Sequence, residues 1–316
     1  MQHLLIPFAS ATSEAAEAST HVLRDLALPQ LARLMGRLTA APRDSGAADS
    51  LSPPHERALA ASWGWHGSDG CLPFAAQAAQ RDGIEVGSQA WALLTPAHWL
   101  LGRDHVLLAD PAALDLAEAE SRALFDAVRP LFESEGFALA WGAPLRWYAA
   151  HDSLADLPCA SLDRVIGRRI EAWLADTRHH APGRLVQRLQ SEVQMLLYPH
   201  PVNEVREARG LPAVNSFWLS GCGRYQAADA AAVRIDDSLR AALLAQDWAA
   251  WADAWHALDA GPIAALLHRA QAGESVALTL CGERHAQRCE STRRGFFERT
   301  VQRWSAAPPY AVLEAL

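Results

Sequence analysis

One uninterrupted stretch, residues 200–223, constrains the fold of this chain more than any other. Its first half begins with His200 and Pro201, is mostly polar and ends at Gly210. Its second half contains an apolar run centred on Trp218. Asn203 can cap a short helix, and Gly210 can end that helix in the left-handed conformation. Trp218 can then lie in the core on a central strand. The stretch therefore predicts a helix followed by a buried strand.

Composition allows a large core and excludes several functions. The chain has 316 residues, 50% of them hydrophobic, which is enough for two domains. A formal charge of −8 and a pI of about 5.9 disfavour binding to nucleic acid, which requires clustered cations. All 28 basic residues are arginine, so Schiff-base lysines and a Walker lysine are excluded. An anionic ligand must be held by arginine, histidine or backbone amides.

The N-terminus and the cysteines are typical of a cytoplasmic protein. The first residues carry no basic segment, and their apolar run is too short for a signal peptide or a membrane helix. We therefore expect no membrane partner. The five cysteines are scattered and form no C-x-x-C pair, which predicts reduced thiols and no disulfide framework. They are Cys71, Cys159, Cys222, Cys281 and Cys289.

Apolar periodicity predicts an alternation of strands and helices along the chain. Strands are predicted at residues 3–8, 90–95, 105–108, 136–141, 145–149, 216–219 and 275–280. Helices are predicted at residues 22–35, 115–132, 161–174 and 184–197, and around Trp248. Residues 40–54, which are rich in Pro, Gly, Ser and Asp, are predicted to form a loop. The order indicates an α/β chain that contains a compact α+β unit.

The stretch at residues 200–223 resembles the central signature of archaeal-type cofactor-independent phosphoglycerate mutases. The matching pattern is H-P-V-N-x-x-R from His200, then Gly210, Asn215 and W-x-x-G-x-G from Trp218. That family belongs to the alkaline phosphatase superfamily. Within it, the chain looks closest to shorter bacterial relatives, the RpfE-type regulatory proteins.

The resemblance implies a fold. It is a doubly wound α/β core of alkaline-phosphatase-like type with an inserted α+β domain. Residues 1–87 and 179–316 would form the core, and residues 88–178 would form the insertion.

The resemblance also implies an active site, most of which this chain lacks. Phosphoryl transfer in that superfamily uses two metal ions and a Ser or Thr nucleophile. An Asp is expected after the first strand, but no acid occurs there before Glu14. Glu283 and His285 could be remnants of the later metal ligands, and Ser52 lies near the nucleophile position. We therefore predict a pseudoenzyme without a cofactor. The alternative is an active mutase or phosphatase that requires Mn²⁺ or Mg²⁺ and uses these three residues.

An anion site is predicted within the same stretch. His200, Asn203 and Arg206 follow one another at three-residue steps, so they can hold a phosphate or carboxylate on one side of a helix near its N-terminus. By resemblance, Arg146 matches an arginine of the inserted domain that reaches a substrate phosphate. We expect a small phosphorylated metabolite, clamped by Arg146 and Arg206. His200 and Asn203 would position it, and Asn215 would add a ligand contact.

Two further patterns each have a structural and a functional interpretation. Cys281, His285 and Cys289 would share one face of a helix and could bind a soft metal, or the thiols could simply pack in the core. A helix around Trp248 carries tryptophans on one face, at positions 248, 251 and 255. Core packing is one explanation for them. The other is a Trp-rich surface for a protein partner, which would make the chain a regulatory interaction scaffold.

Overall fold

The computed structural model describes residues 1–10, 16–228, 233–291 and 308–316, without the side chains of residues 16–20 and 175–178. Its contacts divide the chain into two units. The first comprises Met1–Ala48, Pro53–Gly64 and Ala228–Leu316, and the second comprises Asp49–Ser52 and Trp65–Ala227. The second unit interrupts the first in sequence. No helix of the described residues is long and apolar enough to cross a membrane.

The first unit is built on a mixed sheet. Its strands are β1 (Gln2–Ile6), β2 (Thr39–Ala40), β3 (Asp44–Ser45), β10 (Val233–Ile235), β11 (Val276–Cys281) and β12 (His285–Glu290). The order is β10-β1-β11-β12-β2, and β3 also pairs with β12. Strand β1 runs parallel to both β10 and β11, whereas β12 is antiparallel to its neighbours. The buried run predicted at residues 3–8 is therefore a central strand.

Helices cover both faces of this sheet. They are α1 (Ala16–Asp25), α2 (Pro29–Met35), α3 (Pro54–Ser62), α10 (Arg240–Leu244), α11 (Trp248–Leu258), α12 (Ala264–Gln271) and α13 (Pro309–Glu314). Leu4 and Ile6 of β1 lie in one core with residues of α2, α11 and α12. On the opposite face, Arg288 of β12 donates to the Ser62 hydroxyl of α3 at 3.4 Å. This arrangement confirms the predicted doubly wound α/β core.

The tryptophans of α11 belong to that core. Trp251 and Trp255 are 0% exposed and meet edge to face, with ring centroids 6.2 Å apart. Trp248 is half-buried beside them. Their helical spacing therefore reflects core packing, and a protein partner stays a prediction.

The second unit is an antiparallel α+β structure. Its strands are β4 (Ala90–Ala97), β5 (Trp99–Leu101), β6 (Val106–Leu108), β7 (Ala138–Ala143), β8 (Arg146–Ala150) and β9 (Ser216–Arg224). Its helices are α4 (Phe74–Arg81), α5 (Glu118–Ser134), α6 (Leu162–Val165), α7 (Ile170–His179), α8 (Ala181–Leu197) and α9 (Pro201–Ala208). The sheet order is β7-β8-β4-β9, and β5 and β6 form a separate hairpin. The predicted pairing of residues 136–141 with 145–149 is confirmed as β7–β8.

The two faces of the β7-β8-β4-β9 sheet pack against different helices. Trp147 and Phe217 share a core with Phe125 of α5 and Leu189 of α8. Tyr148 points the other way and packs against the small residues of α4. Alternation along β8 thus sends neighbouring side chains into separate cores.

The unit boundaries differ from those expected at residues 88 and 178. Strand β9 pairs with β4 in the register Thr95↔Trp218, and α8 packs on the same core as α5. These contacts place residues 179–227 in the second unit, and α4 brings in the segment after residue 64. The helix predicted at 161–174 is also interrupted, because Gly167 adopts a φ of +73° between α6 and α7.

A buried histidine makes the stability of the first unit depend on pH. The His3 ring is 4% exposed, and its Nε2 lies 2.7 Å from the Thr279 hydroxyl. Burial, followed by the nearby Arg288 charge, lowers the pKa of His3 from 6.5 to about 4. Between these values the unfolded chain binds a proton that the folded chain does not, so stability falls as pH decreases from 6.5 to 4.

We predict that His3→Gln flattens this dependence. A shift of this size corresponds to about 3 kcal/mol over the pH interval. Urea unfolding at several pH values should therefore show the wild type losing about 3 kcal/mol more than the variant between the two limits. Equal losses in both proteins would contradict the assignment to His3.

Two neighbouring tryptophans of α11 differ in one hydrogen bond. Trp251 Nε1 donates to the Phe8 carbonyl at 3.2 Å, whereas Trp255 Nε1 is buried without a partner among the described residues. We expect Trp251→Phe to lower the free energy of unfolding by about 1 kcal/mol more than Trp255→Phe. The reason is that only the first substitution removes a hydrogen bond to a buried carbonyl. Urea denaturation of the two variants checks this difference. The opposite order would show that the indole partners are assigned wrongly.

Candidate functional site

Helix α9 has defined ends within the 200–223 stretch. His200 is its N-cap, and the His200 Nδ1 atom accepts from the Val202 N–H at 3.2 Å. At the other end Gly210 has a φ of +72°, and the Leu211 N–H donates to the Arg206 carbonyl at 2.9 Å. The glycine stop is confirmed. The cap was expected at Asn203, and the structure places it three residues earlier because Pro201 already occupies the first helical turn.

Asn203 lies on the buried face of this helix. Its amide nitrogen donates to the carbonyls of Leu197 and Val214, each at 2.8 Å. Its amide oxygen accepts from the Val214 N–H at 2.8 Å. Both donors of the side chain are thus used by the backbone, which ties the end of α8 to the segment before β9.

Asn215 makes a similar pair of bonds at the start of β9. Its Oδ1 accepts from the Trp99 N–H at 2.7 Å, and its Nδ2 donates to the Trp99 carbonyl at 3.0 Å. The side chain therefore pairs with one residue of β5 as a strand backbone would. Both asparagines therefore use their amide oxygen and nitrogen in bonds to the backbone.

Arg206 is bonded on all three of its nitrogens. Its side chain is 0% exposed, and Nη1 lies 2.6 Å from the Glu120 carboxylate of α5. Its Nε donates to the Pro212 carbonyl at 2.9 Å, and Nη2 donates to the Leu114 carbonyl. A buried guanidinium requires such partners, because an unpaired charge in the interior is very costly. The ligand contact expected for Arg206 would first have to displace these bonds.

Arg146 is the first residue of β8, and its side chain lies on the face of the β7-β8-β4-β9 sheet that packs against α4. It is two residues from Tyr148 on β8 and therefore points towards α4, whereas the partner of Arg206 is on α5. Its Nε and Nη2 each lie 2.9 Å from a carboxylate oxygen of Asp82. The structure does not bring Arg146 and Arg206 to one site, so a joint clamp on one anion would require a different arrangement.

The Asp82 carboxylate is shared by two side chains. The Tyr148 hydroxyl donates to the oxygen that also accepts from Arg146 Nε, at 2.7 Å. The hydrogen bond from Arg146 lowers the pKa of Asp82, although burial opposes the shift. Burial, followed by the hydrogen bond to Asp82, raises the pKa of Tyr148. Asp82, Arg146 and Tyr148 therefore form a charged cluster whose members are hydrogen-bonded to one another.

The glycines after Trp218 allow β9 to approach α4 closely. Trp218 Nε1 donates to the Ala160 carbonyl at 2.9 Å. Gly221 has a φ of +64°, and a Cβ there would lie 2.9 Å from the Ala75 nitrogen. The register with β4 also shifts at this point, as in a β-bulge. The W-x-x-G-x-G pattern thus has a packing explanation.

The candidate nucleophile lies in a closed turn. Ser52 is 2% exposed, and its hydroxyl accepts from the Gly70 N–H at 2.9 Å. The Asp69 carboxylate accepts from the backbone N–H groups of Leu51 and Ser52. These bonds order the turn and leave the hydroxyl away from solvent.

The candidate metal ligands lie on the β11–β12 hairpin and not on a helix. His285 and Cys289 share one face of β12, whereas Cys281 of β11 is paired with Ala286 and faces the other side. The helical alignment of the three side chains was therefore wrong. Burial, followed by neighbouring arginines, lowers the pKa of His285.

The described residues do not fit a site for two divalent ions. Strand β1 is followed by Phe8, Ala9 and Ser10, which supply no carboxylate, and Glu14 lies outside the described residues. Nowhere in the described part of the chain do three or more His, Cys, Asp or Glu side chains come close enough to hold a metal ion. Glu283 and His285 therefore belong to no described cluster of three such ligands.

The second unit contains a groove that the sequence analysis did not predict. It has a volume of about 540 Å³ and lies between α7, α8 and the β5–β6 hairpin. Helix α8 contributes one polar face to it, namely Arg184, Gln187, Arg188, Ser191 and Gln194. These positions follow helical spacing, which is the sequence signal that could have found the groove.

Two buried polar atoms border this groove without a partner among the described residues. They are Trp99 Nε1 and Glu171 Oε2, and both belong to lining residues. The other carboxylate oxygen of Glu171 accepts from the Val106 N–H at 2.9 Å. Backbone N–H donors, first its own and then that of Val106, lower the pKa of Glu171, which therefore carries a negative charge at neutral pH. The groove thus combines a carboxylate with two guanidinium groups.

Comparison with known proteins gives structural similarities only. No protein-family model matches the chain, and neither does any curated protein. A cofactor-independent phosphoglycerate mutase from Thermoplasma acidophilum DSM 1728 superposes with a TM-score of 0.39 and 13% identity, over 99% of this chain and 98% of that one. The PH0037 protein from Pyrococcus horikoshii superposes with a TM-score of 0.44 and 12% identity, over 92% and 87% of the two chains. At these values the similarities assign no function.

The two arginines that contact Glu120 provide a test of the buried ion pair. Arg206 is 0% exposed with a 2.6 Å contact, whereas Arg209 is 61% exposed with a 3.5 Å contact. We predict that Arg206→Ala lowers the free energy of unfolding by about 3–5 kcal/mol, because it leaves Glu120 without its close partner. Arg209→Ala should cost less than about 1 kcal/mol. Chemical denaturation measures both, and similar losses would argue against a structural role specific to Arg206.

Proposed function

We propose that the chain is a phosphoglycerate-mutase-like protein that has lost di-metal phosphoryl transfer and acts as a regulatory protein that binds a small phosphorylated metabolite. The ligand site that we propose is the groove between α7, α8 and the β5–β6 hairpin. The observation that carries the proposal is the polar face of α8 that lines this groove, with Arg184 and Arg188 one turn apart.

The loss of di-metal chemistry is supported by the ligands that are present. Two divalent ions between phosphate oxygens need several carboxylate or imidazole groups held close together. At the end of β1 the described residues offer a phenylalanine, an alanine and a serine. The buried hydroxyl of Ser52 is likewise a poor nucleophile, since substrate cannot reach it in this arrangement.

The chemistry of the groove supports an anionic ligand that also carries hydroxyl groups. Arginine suits phosphate and carboxylate, because its planar fork donates two parallel hydrogen bonds. Arg188 is 54% exposed and uses Nη2 to contact Glu135 at 2.8 Å, and Arg184 Nη1 donates only a long 3.4 Å bond to the His179 carbonyl. The Gln194 amide and the Glu171 carboxylate can bond to hydroxyl groups on the same ligand.

The closing experiment is a binding series with 2- and 3-phosphoglycerate, each with and without Mn²⁺. Saturating ligand, at about a hundredfold over its dissociation constant, should stabilise the protein by about 2.7 kcal/mol and raise Tm by several degrees. We predict that Arg188→Gln weakens the affinity at least about tenfold, because a charged hydrogen bond is worth about 1.5–3 kcal/mol. Titration calorimetry measures the affinity directly.

Arg122→Gln is the matched control. Arg122 is 53% exposed and contacts Glu118 at 2.8 Å, which reproduces the exposure and ion pair of Arg188 outside the groove. Its substitution should leave the affinity unchanged. Binding that requires Mn²⁺ and has the same affinity in the Arg188→Gln variant would instead support a metal-dependent enzyme. If no ligand changes Tm in any condition, the metabolite proposal is wrong.

A further inference from the structure

The three cysteines of the second unit lie together, although they are far apart in sequence. The Sγ atoms of Cys159 and Cys222 are 3.6 Å apart, and both side chains are buried. Cys71 is half-buried, and the Cys159 N–H donates to the carbonyl of the adjacent Gly70 at 3.1 Å. The Cys71 and Cys159 thiols are close enough for charge on Cys159 to raise the pKa of Cys71.

We propose that this trio is an oxidative modification site, in which Cys71 reacts with a peroxide and the oxidation passes to a disulfide between Cys159 and Cys222. The site is independent of the groove and of the metabolite proposed above. Its chemical partner is a small hydroperoxide. This oxidant must react first at Cys71, because Cys159 and Cys222 are buried.

The surroundings of the buried pair allow the two sulfurs to approach. A disulfide bond is about 2.05 Å long, so the Sγ atoms must close by roughly 1.5 Å. Cys222 lies between two glycines at the irregularity of β9 and has no register partner on β4. Cys159 precedes α6, outside any regular element, and borders a cavity of about 10 Å³. Neither sulfur is therefore fixed by a regular hydrogen-bonded ladder.

The oxidation is balanced in three steps. The Cys71 thiolate attacks one peroxide oxygen, so an S–O bond forms, the O–O bond breaks and hydroxide leaves. The Cys159 thiolate attacks the Cys71 sulfenic sulfur, which forms an S–S bond and releases the oxygen as water after protonation. The Cys222 thiolate then attacks the Cys159 sulfur, and Cys71 leaves as a thiolate. In sum, two thiols lose two protons and two electrons, which convert hydrogen peroxide into two waters.

The reaction has a pH signature. Burial raises the pKa of Cys71, although a hydrogen bond from Ser68 opposes this shift. The hydrogen bond to Cys159, together with burial, raises the pKa of Cys222. Because the thiolate is the reactive form, the rate should increase with pH above neutrality.

The remaining cysteines act as internal controls. Cys281 and Cys289 point to opposite faces of the β11–β12 hairpin, so they cannot pair with each other. Cys281 is 0% exposed and Cys289 is 4% exposed, so a peroxide in solvent reaches neither thiol. Both should remain thiols under conditions that oxidise the trio.

The test uses the folded, full-length protein treated with hydrogen peroxide, then quenched with a thiol-alkylating reagent under denaturing conditions. Non-reducing peptide mass mapping should show a Cys159–Cys222 cross-link with a loss of about 2 Da, and alkylated Cys71, Cys281 and Cys289. A protein that keeps five alkylated thiols overturns the proposal. So does a cross-link that forms only in urea-unfolded protein.

Variants assign the roles within the trio. Cys71→Ser should slow cross-linking at least about tenfold, and Cys281→Ser should leave the rate unchanged. An unchanged rate in Cys71→Ser would reject Cys71 as the entry point. Cys222→Ala should abolish the cross-link, and mapping of the wild-type protein supplies the same assignment if that variant does not fold.

Discussion

The burial of the Arg206 guanidinium is the constraint on which the organisation of the second unit depends. A positive charge without solvent contact needs a negative partner and acceptors for its remaining donors. Glu120 supplies the charge, and the carbonyls of Leu114 and Pro212 supply further acceptors. These groups come from α5, the turn before it and the segment after α9. One side chain therefore fixes three parts of the chain relative to each other.

Other polar residues of the same stretch also bond to the protein. Asn203 and Asn215 bond to backbone groups of neighbouring segments. The 200–223 signature can thus be understood as a set of contacts that joins α8, α9 and β9 to the rest of the sheet. Arg146 follows the same principle on the opposite face, because its fork is matched to the Asp82 carboxylate. Residues that look suited to an anionic ligand are equally suited to a carboxylate or carbonyl of the protein itself.

The proposed function and the proposed oxidation rest on other groups, namely the groove beside α8 and three cysteines. The groove beside α8 contains two buried polar atoms that have no partner among the described residues, and two arginines near solvent. The cysteine trio of the second unit includes Cys159 and Cys222, whose sulfurs are in van der Waals contact at 3.6 Å. Both features lie within the second unit, yet they rely on different chemistry, since one needs charge complementarity and the other needs an oxidant.

The sequence by itself determined the local structure. Apolar periodicity identified β1, β4 and β9, Gly210 marked the end of a helix, and the tryptophan spacing of α11 indicated one face of a helix. Each of these properties depends on neighbouring residues only. Tertiary structure alone decided the partners of Arg206 and Arg146, the unit boundaries, the groove and the meeting of Cys159 with Cys222. The reason is that these features arise from pairing between distant segments, such as β4 with β9, and from the face to which each side chain points once the sheet has formed.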